Sequence, residues 1–361
     1  MKKIVILSNM YPTKNHPTFG IFVKNQVQQL KSAGQNIEVI AIDEPGKGKV
    51  LTLKKYLSWF MKSMFFLLKH KKNISLTHAH YAFPTGLLSL IGKKVFKIPY
   101  IVTVHGGDID KMAGKHPKIK QLTARILKDA DHVIAVGERL KFDIVHDFHV
   151  PKNRVEVLSM GVDTSIFKYA QQADARKSIG LDDDGKMILF VGNVIPEKGV
   201  LELIDAFGEI KRKFADVSLY ILGAQRNQTF SEKVLQLIER EEIKDVHFKQ
   251  PVNQAELAKW MAASNVLALP SYHEGFGLVA LEAMATGTQV VGSDVGGLSY
   301  LLQGQAGILV KPKSSSSLAE GLQIALEDKG IDEQQMKKMV HQHSADLILQ
   351  KLIVIYNDVG R

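Results

Sequence analysis

Twice along this chain, apolar runs of strand length alternate with helical patterns, and that alternation limits the possible folds more than any single residue does. In the first half, strand-like runs fall at 4–7, 37–42, 76–79, 100–104, 132–136 and 155–158, with helical patterns at 22–33, 51–70, 85–96, 119–129 and 140–148 between them. The second half repeats the scheme, with strands at 187–191, 218–222, 246–248, 266–269, 289–292 and 308–310 and helices at 200–214, 231–240, 255–263, 277–285 and 317–327. Such alternation implies a parallel sheet covered by helices on both faces. The expectation is therefore two doubly wound, Rossmann-like α/β domains, 1–168 and 169–344, joined by a polar stretch near 163–186. Helical patterns at 333–341 and 345–359 close the chain. At 361 residues each domain is large enough to bury its own core.

Composition narrows the class further. Apolar residues make up 45% and charged residues 23%, as in a water-soluble globular protein. There is no cysteine, so disulfides and thiolate chemistry are excluded and a reducing compartment fits. The apolar run near the N-terminus is short and lacks a small-residue cleavage site, so it reads as a first strand and not as a signal peptide. Charge is uneven: residues 1–170 hold 27 Lys and Arg against 12 Asp and Glu, a net of +15, whereas the remainder holds 20 against 25, a net of −5. A basic first half points to an anionic partner such as a membrane surface, a nucleic acid or a phosphorylated substrate. Nucleic acid is disfavoured, because no aromatic-interleaved basic run or known module is present.

The stretch 269–297 carries the densest chemistry: L-P-S-Y-H-E-G-F-G-L-V-A-L-E-A-M-A-T-G-T-Q-V-V-G-S-D-V-G-G. A strand ends in a polar turn containing Glu274, Gly275 and Phe276, and an apolar helix then begins near Gly277 and ends at Gly287. The glycines let the backbone approach a ligand closely, and the first helical amides form an anion site. Glu282 stands roughly 8 Å further along that helix at ~1.5 Å per residue. A carboxylate among apolar neighbours needs a partner, and a diol donating two hydrogen bonds would serve. An isolated Glu pair at this spacing also describes an ordinary ion-pair residue and a solvated turn residue.

The whole string decides between these readings. It resembles the E-x7-E signature of the family 4 retaining glycosyltransferases, P-S-x-x-E-G-F-G-x-x-x-L-E-A-M-A-x-G-x-P-V-V, with Gln289 where Pro is usual. The resemblance implies a GT-B fold, two facing Rossmann-like domains with one substrate on each wall of a cleft and the last helix, about 345–361, returning to the first domain. It implies metal-independent transfer of a sugar from a nucleotide-diphosphate sugar, with uridine favoured over guanosine, to a saccharide or lipid-linked acceptor, and no cofactor. In this reading Glu282 holds the ribose diol, Glu274 the sugar hydroxyls, and Lys198 with the Gly275–Leu278 amides the diphosphate.

Three further segments extend the resemblance. Residues 12–20, P-T-K-N-H-P-T-F-G, match the family's glycine loop, which places Phe19 and Gly20 beside the donor phosphate and the acceptor. V-T-V-H-G-G-D-I matches V-T-x-H-G-x-D-I, so His105 is assigned a positioning and polarising role at the reaction centre. G-N-V-I-P-E-K-G at 192–199 matches G-R-x-x-x-x-K-G, with Asn193 replacing an Arg that grips the leaving group and Arg226 a candidate substitute. Tyr300 stands where G-G-x-x-E ends in Glu, and S-M-G-V-D at 159–163 where N-G-V-D is usual. The first half, with H-A-H-Y-A-F-P-T-G, looks most like bacterial enzymes of cell-surface polysaccharide assembly, and a cytoplasmic protein with peripheral contact at the inner face of the membrane follows. Two other readings stay open: another GT-B activity (phosphorylase or epimerase), or a weakened transferase core acting as a membrane or ligand binder.

His78 and His80 lie on one face of a strand, and packing with local hydrogen bonds accounts for them without a metal. Residues 51–72 form a helical stripe of Leu53, Leu57, Phe60, Met64 and Leu67 with Lys55, Lys62 and Lys69 elsewhere on the wheel. The segment is too interrupted to span a bilayer. It fits either an interfacial helix with Trp59 and Phe66 at the membrane or a core helix with solvated lysines.

Overall fold

The computed structural model describes residues 2–360 except 14–15, 17–18, 44–48 and 182–184; the side chains of 49–50, 110–111 and 113 also lie outside the description. Four residues of the 12–20 loop are thus outside it, whereas Phe19 and Gly20 are within. The chain divides into two compact units, Met1–Met160 with Asp346–Arg361, and Gly161–Ala345.

Unit 1 runs β1 (Lys3–Ser8), α1 (Ile21–Ser32), β2 (Ile37–Ala41), α2 (Lys49–His70), β3 (Ile74–His80), α3 (Thr85–Phe96), β4 (Tyr100–Val104), α4 (Pro117–Asp129), β5 (His132–Ala135), α5 (Glu138–His146) and β6 (Val155–Val157). The strands form one parallel sheet in the order β2-β1-β3-β4-β5-β6. Every residue of β4 is buried, as a strand covered on both faces requires.

Unit 2 runs α6 (Gln172–Ser178), β7 (Lys186–Val191), α7 (Val200–Lys213), β8 (Val217–Leu222), α8 (Gln228–Arg240), β9 (Val246–Lys249), α9 (Gln254–Ala263), β10 (Val266–Leu269), α10 (Leu278–Ala285), β11 (Gln289–Ser293), α11 (Gly296–Leu301), β12 (Ile308–Val310), α12 (Ser315–Leu326) and α13 (Glu333–Gln342), before α14 (Ala345–Val359). Its parallel sheet has the order β12-β11-β10-β7-β8-β9. Ile188, Phe190, Leu203 and Phe207 are among the buried side chains of its core. Asn227, Asn253, Ser314 and Asp332 cap α8, α9, α12 and α13 by accepting from backbone amides. From α14, Ile348, Leu352, Ile355 and Tyr356 pack with Ile4, Ile6 and Leu76 of unit 1.

The structure adds to two of the sequence readings. The polar stretch near 163–186 is not a plain linker: it holds α6, anchored because buried Arg176 donates to the Ala263 carbonyl at 3.1 Å and to Asn265 Oδ1 at 3.0 Å. Composition hid this helix, since its anchor is a charged side chain. In α2, Trp59 does not face outward. It is buried, donates from its indole to the Ile40 carbonyl at 3.2 Å, and packs with Leu67 against Val5, Leu7 and Leu88. Among the described residues no helix is long and apolar enough to cross a membrane.

In each sheet the strand order reverses once, between β1 and β3 in unit 1 and between β7 and β10 in unit 2. Open parallel sheets bind ligands beyond the carboxyl ends of their strands at such points. The loops that follow those four strands are therefore where function is to be sought.

Candidate functional site

In unit 2 the loops after β7 and β10 meet. Gly199 adopts φ +66°, and a Cβ there would stand 2.1 Å from the Pro270 carbonyl oxygen, so only glycine allows the two backbones this close. The Tyr272 amide donates to the Glu197 carbonyl at 2.9 Å. Across this junction Lys198 Nζ pairs with Glu274 Oε2 at 2.7 Å, both side chains retaining partial exposure. The pair closes a sequence gap of 76 residues at the sheet's reversal point.

Gly275 and Phe276 continue the turn to Gly277, whose φ of +94° makes it the N-cap of α10 without a side-chain capping bond. The leading amides, including that of half-buried Leu278, are thus left for another acceptor. Phe276 is buried and packs edge-on against His343 with centroids 5.0 Å apart. Beneath the turn, the Gly297 amide donates to the Glu274 carbonyl at 3.2 Å, and a Cβ on Gly296 would come within 1.9 Å of the same oxygen. The glycine pair that opens α11 is therefore a seat for the Glu274 turn, a function the sequence did not disclose.

Glu282 sits half-buried in α10. Desolvation pushes its carboxyl up to about 8, against a lowering hydrogen bond from Gln254 at the start of α9. Gln254 was missed in the sequence, because nothing local marks a residue that acts from the next helix.

In unit 1 the loops after β1, β3 and β4 converge. Gly20, φ +73°, starts α1, and a Cβ there would stand 2.7 Å from the Met10 carbonyl oxygen. Phe19 is half-buried beside it, its amide donating to the His16 carbonyl at 3.2 Å. His105 is half-buried, with Phe22 of α1 at 4.9 Å and Tyr81 at 4.6 Å between ring centroids. His105 Nε2 and His80 Nδ1 are 3.2 Å apart. His78 hydrogen-bonds Tyr356 Oη at 2.6 Å and Thr103 Oγ1 at 2.7 Å. Burial, reinforced by His80, holds His105 well below the ordinary imidazole range, and burial pushes His80 down to about 3. His105 is thus a neutral imidazole near pH 7. The backbone that carries it is fixed by buried Asp108, whose carboxylate accepts from the amides of Ala82 (2.8 Å), His105 (3.2 Å) and Gly106 (3.1 Å). Burial raises that carboxyl to about 6 despite these bonds. Asp108 belongs to the G-G-D string, but its clamp on Ala82 spans two loops and is not legible from spacing.

Two family models divide the chain between them: Glycosyltransferase Family 4 over residues 20–166 and Glycosyl transferases group 1 over residues 171–343. The chain belongs to the family 4 glycosyltransferases. An uncharacterized glycosyltransferase of Methanocaldococcus jannaschii is 29% identical over 98% of this chain and 97% of its own length. A putative teichuronic acid biosynthesis glycosyltransferase of Bacillus subtilis, TuaC, is 26% identical over 89% and 88%. Among solved structures, a sucrose-phosphate synthase of Thermosynechococcus elongatus superposes with a TM-score of 0.80 at 21% identity, covering 99% of each chain. HepE of Anabaena, solved with UDP and glucose, gives 0.79 at 18% identity over 99% of this chain and all of its own. The fold of this glycosyltransferase is GT-B.

Its departures from the family pattern have local accommodations. Asn193 is exposed, and the Val194 amide beside it donates to the Ala224 carbonyl at 3.1 Å, which brings the exposed Arg226 loop alongside. Tyr300 turns to His343, with Oη and Nε2 3.1 Å apart. Gln289 starts β11 and donates from its side chain to Asp328. Met160 is buried and accepts from Gln26 through its sulfur at 3.9 Å.

Proposed function

We propose that this glycosyltransferase moves a sugar from a nucleotide-diphosphate sugar, with UDP as carrier, to a saccharide or lipid-linked acceptor, with retention of anomeric configuration and without a metal. The observation that carries the reading is the meeting of Lys198, Glu274 and the uncapped start of α10 at the reversal point of the unit 2 sheet. A cation and open helix amides suit a diphosphate that gains charge as it leaves. Glu274 beside them suits sugar hydroxyls, and Glu282 suits the ribose diol. The UDP and glucose bound to HepE support the donor class, and the likeness to TuaC, a putative teichuronic acid biosynthesis glycosyltransferase, supports a role in cell-surface polysaccharide synthesis. Unit 1 takes the acceptor near Gly20 and His105, and its net basic charge supports peripheral contact with an anionic inner membrane face.

In the transfer, the acceptor hydroxyl oxygen bonds to the anomeric carbon while the anomeric bond to the diphosphate breaks. The electron pair leaves with the diphosphate, which takes the hydroxyl proton. Neutral His105 donates or accepts a hydrogen bond at the sugar and does not become covalently attached.

The decisive experiment is thermal stabilisation against a panel of nucleotide sugars, followed by NMR of the product anomer and turnover in a chelator. A ligand at 100 times its Kd adds ~2.7 kcal/mol. If no nucleotide sugar raises the melting temperature, the reading is wrong. An inverted anomer, or activity abolished by the chelator and restored by a divalent cation, would overturn those parts of it. Donor binding without transfer to any acceptor would favour the weakened-core reading that Asn193 and Tyr300 motivate.

A further inference from the structure

At the reversal point of the unit 1 sheet, the loops after β1, β3 and β4 and the first turns of α2 enclose a groove of about 1020 Å³. Its walls are Leu53, Tyr56, Tyr81, Phe83, Pro84 and Met112. Asn9, Asp108 and Lys115 supply polar groups among its lining. One side is bounded by Gly107 and Asp108, two and three residues after His105, and by Tyr81, whose ring lies against that of His105. The other side is α2. A groove of this size with apolar walls and few polar groups fits an organic ligand with a substantial hydrocarbon part. A free saccharide, which needs a hydrogen-bonding partner for each hydroxyl, would find few here.

The outer face of α2 continues the apolar wall. Leu53, Leu57, Met61, Phe65 and Leu68 are each more than half exposed, and they fall on one face of the helix. This is not the stripe that the sequence suggested, because Phe60, Met64 and Leu67 turn inward to the core. Lys54, Lys62 and Lys69 are exposed on the same helix. From residue 45 to residue 107 the sequence holds eleven Lys and no Asp or Glu. An exposed apolar face with lysines and no acids matches an anionic lipid surface and mismatches water. Leu53 belongs both to the outer face and to the groove, so the two surfaces are continuous.

We infer that the acceptor of this glycosyltransferase is an anionic amphiphile taken from a bilayer, its hydrocarbon chain lying in the Tyr56–Met112 groove while α2 rests in the lipid interface. The assignment rests on the transfer reading above for the word acceptor, and on the groove alone for the ligand. Lys115 meets the anionic head, and the chain's polar end emerges beside His105.

The test uses the full chain with Trp260→Phe, so that Trp59 is the remaining tryptophan; its ring centroid lies 6.2 Å from that of Tyr56, which lines the groove. The probe is 12-bromododecyl phosphate below its micelle concentration, whose bromine quenches tryptophan at short range. Saturable quenching is expected, with Kd raised at least tenfold by Leu53→Glu/Met112→Glu and at least threefold by Lys115→Glu, in chains whose circular dichroism melts match the parent. A second variant, Leu57→Ser/Met61→Ser/Phe65→Ser, keeps the quenching and loses flotation with vesicles of seven parts phosphatidylcholine to three of phosphatidylglycerol. Absent quenching, or quenching unmoved by the groove substitutions, overturns the groove. Equal affinity for 12-bromododecanol overturns the anionic head. Undiminished flotation of the triple serine variant overturns the bilayer source. Stabilisation of the unmodified chain by nucleotide sugars is read separately: its failure sinks the transfer reading and leaves the groove standing on the quenching.

Discussion

Replacing Glu282 by Gln separates the carboxyl's electrostatics from its shape. Desolvation raises the folded carboxyl to about 8 from the ordinary 4.5. Above pH 4.5 the unfolded chain has released this proton while the folded chain keeps it, so stability falls as pH rises through this window and levels off above about 8. Each pH unit in the window is worth ~1.4 kcal/mol, and the full effect by pH 7 would be about 3 kcal/mol for a sealed carboxyl. Glu282 is half-buried and bonded to Gln254, and water screening brings the expected difference to about 1–2 kcal/mol. Urea melts followed by Trp260 fluorescence, in a shared Trp59→Phe background, should show parent and Glu282→Gln equally stable at pH 4.5 and the variant ahead by that margin at pH 7.5. A bound diol donates to an ionised carboxylate, so nucleotide-sugar binding at pH 7 should release a proton. Calorimetry in two buffers of different ionisation enthalpy reads that proton, and the Gln variant should release none. Parallel pH slopes in parent and variant would refute the argument.

Lys198→Ala removes the cation facing Glu274 and should lower kcat/KM by about 10²–10³, as for loss of a charge-stabilising donor; a loss under tenfold in steady-state turnover would shift the leaving-group role elsewhere, with Arg226 next to be tested. Gly277→Ala forces a side chain into φ +94° with its Cβ 2.9 Å from Leu298 Cδ2. It should cost about 1–3 kcal/mol in urea melts and weaken the donor by moving the α10 amides. Tyr300→Phe loses the bond to His343 and should cost about 1 kcal/mol with donor affinity unmoved; a changed donor Kd would place Tyr300 in the site. Because burial holds His105 well below the ordinary imidazole range, its protonation should leave turnover intact down to below pH 6. An acid limb at pH 6.5 that disappears in His105→Gln would contradict its burial.

Much of the fold was legible because the signal is local. A near-continuous apolar run such as 100–104, broken only by Thr103, reads as a strand covered on both faces, and a helix opening near Gly277 follows from backbone freedom and open amides; the structure starts it one residue later, at Leu278. The same locality misled in α2. Periodicity marked a stripe and a tryptophan, but it cannot say which of two apolar arcs meets the sheet, and Trp59 went inward while Phe65 stayed out. Helix α6 was unreadable because it is held on unit 2 by packing against α9 around buried Ala175 and Arg176, which leaves no local apolar period.

By itself, the order of residues determined the strands and most of the helices, that the strands run parallel, and that carboxylates and a lysine fall in loops at strand ends. Only the tertiary structure decided which of those loops are neighbours. Strand order is set by pairing between segments far apart in the chain, so the 2.7 Å approach of Lys198 to Glu274, the Asp108 clamp behind His105 and the groove under α2 exist only once each sheet has closed.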